Sequence, residues 1–272
     1  MTDNIAFIGG GNMARSLIGG LLAQGRNPAS IHVAEPVPLL REALQHDFGV
    51  HVHADGAQAV TAAGIWVLAT KPQVLRPVCE ALCGQAQAAQ PLVISIAAGI
   101  TATQITRWLG GAIKVVRTMP NTPALLGAGV TGLFADARVS AEERQFADRL
   151  LAAAGKTVWL DDEAQMDAVT AVSGSGPAYV FLLAEAMIDA GVQEGLPADA
   201  ARALALQTVL GAARMLTEAQ ADAAELRRRV TSPNGTTQAA IETFEAGGLR
   251  SLVASAIHAA RVRGAELAAA ND

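Results

Sequence analysis

The 272-residue chain is 51% apolar and only 17% charged, which is long for one domain, suits two, and excludes a disordered protein. Its 20 basic and 25 acidic residues give a formal charge of −5, which excludes the balance of a nucleic-acid-binding protein. No unbroken apolar run of membrane-spanning length is found, and the N-terminus enters an apparent strand without a charged leader. Neither a membrane partner nor a signal peptide is expected.

In chain order, IAFIG (5–9) reads as a strand and NMARSLIGGLLAQG (12–25) as a helix. IHVAE (31–35) is a second strand, followed by a helical pattern over 36–49. VHVH (50–53), IWVLAT (65–70), LVISIA (92–97), KVVRTMP (114–120) and TVWLD (157–161) continue the strands, with helical candidates between most of them. Strands alternating with helices imply βαβ units and a largely parallel sheet.

The texture changes near Asp162, beyond which the strand signal disappears. Residues 178–195 read as a buried helix, and 198–219 and 250–270 as two more. The expected organisation is a dinucleotide-binding α/β domain over 1–162 and an all-α domain over 163–272. With 4% aromatics and abundant Ala and Leu, the helices should pack through small side chains and cover their remaining apolar faces with a second copy.

The first strand runs into GGGNMA (9–14), which fits G-x-G-x-x-A at Gly9, Gly11 and Ala14. Such a turn lets a pyrophosphate approach the backbone, and the N–H groups of Asn12, Met13 and Ala14 would face it from a helix start. Glu35 ends the second strand, where an acid would accept hydrogen bonds from a ribose 2′-OH and so favour NADH; for a 2′-phosphate the nearest basic group is Arg41. ATKP (69–72), SIAAG (95–99) and MPNTP (119–123) each follow a strand and should border the cofactor. Lys71 either approaches the phosphates or caps the sheet edge.

Several chemistries fail on inspection. Cys79 and Cys83 lie one helical turn apart with no cluster of Cys or His beside them, and read as small apolar residues of a reduced, cytoplasmic protein; no metal is expected. GKT (155–157) resembles the end of a P-loop, but Leu150 stands where its first glycine belongs. SGSGP (173–177) lacks the spacing of a nucleophile elbow. Arg227–Arg229 read as a solvated helix face rather than a phosphate contact. The helical half holds no lysine, one tyrosine (Tyr179) and one histidine (His258). A hydride acceptor that needs little acid–base help fits this inventory, and a carbon–nitrogen double bond is one.

Two hydroxyl-rich stretches stand directly before helices: SGSGP, and VTSPNGTT (230–237). Each is either an N-cap for its own helix or a carboxylate site built from N–H groups and hydroxyls.

FIGGGNMA, ATKP, SIAAG, VRTMPNTP, DAVTAVSGSGPAY and LRRRVTSPNGTTQAAIETFE occur in an order that resembles the pyrroline-5-carboxylate reductases over essentially the whole chain. The resemblance implies a Rossmann domain, a helical domain that dimerises by interleaving, assembly in some members into rings of dimers, and reduction of 1-pyrroline-5-carboxylate to L-proline by NADPH or NADH. It implies that Thr236 and Thr237 bind the substrate carboxylate, that Thr170 and Ser175 lie near the ring, and that Glu163 approaches the ring nitrogen. It also places Asn12 and Met13 on the pyrophosphate, with Pro36, Ala69, Thr70, Lys71, Pro72, Ala97, Ala98 and Asn121 lining the cofactor. Many members use NADPH, against which Glu35 stands as a departure. Two rival readings remain at this point. One is a dehydrogenase of the beta-hydroxyacid type, which would need a lysine in the helical half; the other is a dinucleotide-binding regulatory protein.

Overall fold

A computed structural model of the chain describes residues 4–270. The outermost residues of the two expected domains, 1–3 and 271–272, lie outside the described residues. Among the described residues, eight strands form one sheet: β1 (Ile5–Ile8), β2 (Ile31–Ala34), β3 (His51–His53), β4 (Ile65–Leu68), β5 (Leu92–Ser95), β6 (Lys114–Met119), β7 (Gly129–Ala135) and β8 (Gly155–Leu160). Their order is β3-β2-β1-β4-β5-β6-β7-β8. β1 to β6 run parallel, β7 is antiparallel to β6, and β8 is parallel to β7. Strand order reverses between β1 and β4, the position at which open α/β sheets form their ligand crevice.

Helices α1 (Asn12–Ala23), α2 (Pro38–Phe48), α3 (Gly56–Val60), α4 (Pro72–Ala89), α5 (Ala102–Trp108) and α6 (Ala141–Ala152) connect the strands. They cover both faces because alternate strand residues point opposite ways. Ile5 and Phe7 pack with Leu17 of α1, Leu44 of α2 and Leu151 of α6. Ala6 and Ile8 pack on the other face with Leu75 of α4 and Ile105 of α5. Each fully buried Ile, Leu or Phe contributes about 1.5–3 kcal/mol. Cys79 is one of these buried residues, and burial pushes its thiol up to about 12, so it is no nucleophile.

β7 is not among the expected strands. Its sequence, GVTGLFA, breaks the apolar pattern with two glycines. Gly132 has a packing reason: a β-carbon there would lie 2.6 Å from Cγ1 of Val169.

The rest of the chain is helical: α7 (Met166–Val169), α8 (Gly176–Gln193), α9 (Ala198–Glu218), α10 (Ala223–Arg229), α11 (Thr236–Ala246) and α12 (Leu249–Ala270). By packing, the chain falls into two compact units, one ending at Ser175 and regaining the chain from Ala259, the other Gly176–His258. Residues 163–175 stay with the sheet unit because Glu163 and Asp167 pair with Arg117 of β6. The end of α12 stays with it through Gln104 Nε2, which donates to the Ala268 carbonyl at 3.2 Å.

In the second unit small residues mark a helix contact: a β-carbon at Gly191 of α8 would lie 3.2 Å from Cβ of Ala201 in α9. Contrary to expectation, α8 is not buried within the chain. Ala184 is its buried residue, while Phe181 and Leu182 are each 66% exposed. The helical run Glu163–Gln193 is long and apolar enough to cross a membrane by length and composition alone, although Glu185 and Asp189 interrupt it and no unbroken apolar run of that length occurs. Arg228 and Arg229 pair with Glu225 of their own helix, and Arg227 approaches Glu245, as a solvated helix face would.

On the β2–β3 edge, His32 lies opposite His51 in register, and its Nδ1 is 3.2 Å from Nε2 of His53. Burial, followed by the neighbouring histidines, lowers the pKa of His32; burial and His51 lower that of His53, against a raising pull from Asp55. A basic group with a lowered pKa resists protonation in the fold more than in the unfolded chain. Its stabilising contribution is therefore present above the unfolded value of 6.5 and is lost as pH falls through the folded one. Thermal midpoints should fall from about pH 7.5 to about pH 5, and less steeply in His32→Gln. An equal fall in both proteins would remove the cluster as the cause.

Candidate dinucleotide and carboxylate sites

The β1–α1 turn lies at the carboxyl end of the sheet beside the switch point. Gly9 has φ +107°, and a β-carbon there would be 2.6 Å from the Ala69 carbonyl oxygen. The Gly9 N–H donates to the Ala34 carbonyl at 2.9 Å, and the Ala69 N–H to that of Ile8 at 2.8 Å, so the exits of β1, β2 and β4 are tied together.

Gly11 precedes α1, and a β-carbon there would meet nothing within 4 Å, leaving an open cradle above the turn. The first helical bond runs from the Arg15 N–H to the Gly11 carbonyl at 3.0 Å. The N–H groups of Asn12, Met13 and Ala14 lie ahead of it and have no partner among the described residues. Ala14 is buried, small enough for α1 to pack onto the sheet.

The remaining expected cofactor residues gather at the same end of the sheet. Ala69 and Thr70 follow β4, and the Thr70 hydroxyl is buried without a partner among the described residues, a polar group left for a ligand. Lys71 is exposed at the start of α4, with Pro72 in its first turn. Ala97 and Ala98 follow β5, Ala97 buried and Ala98 partly so. Asn121 donates through Nδ2 to the Ser173 carbonyl at 3.1 Å and accepts the Val130 N–H on Oδ1 at 3.0 Å. It therefore ties the end of β6 to the segment after α7. These groups fit a dinucleotide: open glycine backbone, free N–H groups at a helix start and an unpaired hydroxyl.

Glu35, expected to accept from a ribose 2′-OH, is instead engaged within the protein. It is 7% exposed, and its carboxylate accepts the Gly10 N–H on Oε2 at 3.1 Å and the Val37 N–H on Oε1 at 3.0 Å. It braces the glycine turn from within. Pro36 is exposed, and its carbonyl and that of Glu35 both accept from Arg41.

Glu163 is equally engaged. Its Oε1 accepts the Ala102 N–H at 2.7 Å and Arg117 Nη1 at 3.1 Å, while Oε2 has no partner among the described residues. Arg117 is 4% exposed and lies 3.5 Å from Asp167. This buried cation is absent from the sequence-based site; the signal that would find it is an arginine in an otherwise apolar strand.

SGSGP is not a free turn, contrary to expectation. Thr170–Gly174 form a wide helical turn in which the Ser175 N–H reaches back to the Thr170 carbonyl at 2.8 Å. The Thr170 and Ser173 hydroxyls bond back to Met166 and Val169. The Ser175 hydroxyl carries no partner among the described residues. The helix is therefore locally widened where the sequence reads as a turn, a feature common at functional sites.

In the other unit, VTSPNGTT is the turn expected before α11. Asn234 takes the left-handed φ of 58° there, and Gly235 caps α11 without any side-chain cap bond. The first helical bond is from the Ala239 N–H to the Gly235 carbonyl at 3.2 Å. The N–H groups of Thr236, Thr237 and Gln238 are without partners among the described residues, and so are the Thr236 and Thr237 hydroxyls. Self-capping by these threonines is thereby excluded. Gln238 reaches back to the Asn234 N–H at 2.7 Å and fixes the turn. His258 is exposed.

A family model described as pyrroline-5-carboxylate reductase dimerisation matches residues 163–267, and one described as NADP oxidoreductase, coenzyme F420-dependent, matches 4–99. The chain is 54% identical to pyrroline-5-carboxylate reductase of Pseudomonas aeruginosa, over 98% of this chain and 97% of that one. The chain belongs to the pyrroline-5-carboxylate reductase family. It is similar in structure to a pyrroline-5-carboxylate reductase from Coxiella burnetii, with TM-score 0.94, 44% identity and 98% and 99% of the two chains covered. A Plasmodium falciparum pyrroline carboxylate reductase with NADP bound matches at TM-score 0.85 and 26% identity, covering 97% and 98%. The α/β fold with a helical C-terminal half is thus that of the family.

Within this reductase fold, Arg117 holds two carboxylates that would otherwise lie partly buried and unpaired. Arg117→Leu should destabilise the protein by about 3 kcal/mol in urea unfolding. An unchanged midpoint would show that the cluster does not hold residues 163–175 to the sheet.

Proposed function

We propose that this protein reduces 1-pyrroline-5-carboxylate to L-proline, the last step of proline biosynthesis, using NADPH or NADH. The observation that carries the reading is the start of α11: three N–H groups and two hydroxyls without partners among the described residues, in a half of the chain without a lysine. A helix start of this kind holds a carboxylate through hydrogen bonds and the helix dipole, without a counter-charge. The dinucleotide cradle beside β1 supplies the other requirement, and a relative's structure has NADP bound.

The reduced nicotinamide supplies hydride to the imine carbon. The chain's own residues need only position the substrate, because a protonated imine is already electrophilic. We assign Thr236 and Thr237 to the carboxylate. Thr170 and Ser175 line the ring, the latter with its uncommitted hydroxyl. Glu163 offers Oε2 to the positive ring nitrogen while Arg117 and the Ala102 N–H hold its other oxygen. Asn12, Met13 and Ala14 take the pyrophosphate, and Thr70 offers its hydroxyl to the cofactor.

The reading includes a homodimer, alone or in a larger assembly of dimers. Phe181, Leu182 and Leu252 are each 66% exposed in the helical unit, and the matching family model is one of dimerisation. The apolar face of the Glu163–Gln193 run is assigned to this contact rather than to lipid. Both cysteines are unpaired, which agrees with a reducing compartment, and we place the enzyme in the cytoplasm.

The test is turnover. Purified protein with 1-pyrroline-5-carboxylate should consume NADPH or NADH, followed by nicotinamide absorbance, with proline formed in equal amount. No turnover by folded protein that binds the dinucleotide would return the choice to a beta-hydroxyacid-type dehydrogenase or a regulatory protein.

A further inference from the structure

We propose that Asn121 is a positioning residue for the substrate rather than a lining residue of the cofactor. Its side chain holds the widened turn at Thr170–Gly174 against the sheet and so sets the place of the Ser175 hydroxyl. The inference rests on the reading that Thr170 and Ser175 line the ring, and deepens it.

The requirement begins with a proline. In a helix the Ser173 carbonyl would accept from the residue four further on, and that residue is Pro177, which has no N–H. Asn121 supplies a donor from outside the helix: its Nδ2 donates to the Ser173 carbonyl at 3.1 Å. Its Oδ1 accepts the N–H of Val130, in β7, at 3.0 Å. One orientation of the amide satisfies both partners, since the carbonyl needs a donor and the N–H an acceptor. The side chain is thus a bridge fixed at both ends, and an amide committed twice within the protein has little to offer a cofactor. Met119, the last residue of β6, closes the same junction: a β-carbon at Gly174 would lie 2.5 Å from its Cε.

The bridge controls helical register. In the widened turn the Ser175 N–H reaches five residues back, to the Thr170 carbonyl at 2.8 Å. A slip of one residue at such a turn rotates everything after it by about 100°. Without its donor the Ser173 carbonyl turns toward water, and the widened turn loses its tie to Asn121. Ser175, two residues on, is then no longer held where its hydroxyl faces the ring.

Asn121→Asp separates the two bonds, because a carboxylate still accepts from Val130 but cannot donate to Ser173. The native protein and this variant are compared by steady-state kinetics with 1-pyrroline-5-carboxylate, by calorimetric binding of the dinucleotide and by amide hydrogen exchange. The variant should raise KM for the imine about tenfold and keep the dinucleotide Kd within about twofold. Exchange at the Ser175 amide should speed up, while the Val130 amide stays protected. Asn121→Ala should release both amides. A weakened dinucleotide Kd beside an unchanged imine KM would overturn the proposal, and so would Ser175 exchange in Asn121→Asp equal to that of the native protein. An equal loss of both affinities would overturn it too, since Asn121 would then only hold the fold. Should Asn121→Ala fail to fold, Asn121→Asp, which keeps the Val130 bond, decides the matter alone. If the native protein turns over no 1-pyrroline-5-carboxylate, the reading of the ring site falls and the substrate role of Asn121 with it; unchanged Ser175 exchange beside normal native turnover removes this inference alone.

Discussion

A β-carbon at Gly9 has no room, because the Ala69 carbonyl oxygen lies 2.6 Å from where it would be. That close approach depends on the parallel sheet: β1 lies between β2 and β4, and the chain leaves all three strands at the same end. The turn must be tight enough to pass under the β4 exit and still present α1 head-on to the crevice. Glu35 sets the turn from beneath, through the Gly10 N–H, at the cost of desolvating a carboxylate. The buried acid and the open space above Gly11 follow from one piece of backbone geometry.

In the proposed function the helical half recognises an anion with few charges. Free N–H groups at α11 stay free because Gly235 cannot cap them and the threonine hydroxyls are not turned back on their own helix. Gln238 satisfies the Asn234 N–H instead, so the turn is rigid while the donors beyond it stay uncommitted. In the sheet unit the widened turn at Thr170–Gly174 shifts the helical register and leaves the Ser175 hydroxyl unclaimed. Both devices keep short polar groups available without adding a titrating side chain. That fits a substrate that carries its own positive charge at the reacting bond.

Much of this was legible in the sequence because the strands of a parallel sheet are buried on both faces and read as short unbroken apolar runs. IAFI, IWVL and LVIS could be little else. GVTGLFA was illegible for the reason that Gly132 exists: Val169 occupies the space of its side chain. SGSGP carries turn residues, yet continuity with α7 and α8 overrides their local preference and makes a helix of them. Sequence places Glu35 at the strand end but gives no side-chain direction, and its two N–H partners lie in separate loops. Arg117 was missed because its partners come from Glu163 and Asp167, far along the chain. The helix α8 reads as buried because its composition is that of a core, yet in the chain most of its large apolar side chains are exposed.

The proposed site stands or falls with a carboxylate held by backbone N–H groups at the start of α11. The most direct measurement is a crystal structure of the protein with L-proline and oxidised cofactor. Proline carboxylate oxygens should lie within hydrogen-bond distance of the Thr236 or Thr237 N–H and hydroxyl groups. A carboxylate bound instead to an arginine, with the α11 start left to solvent, would contradict it.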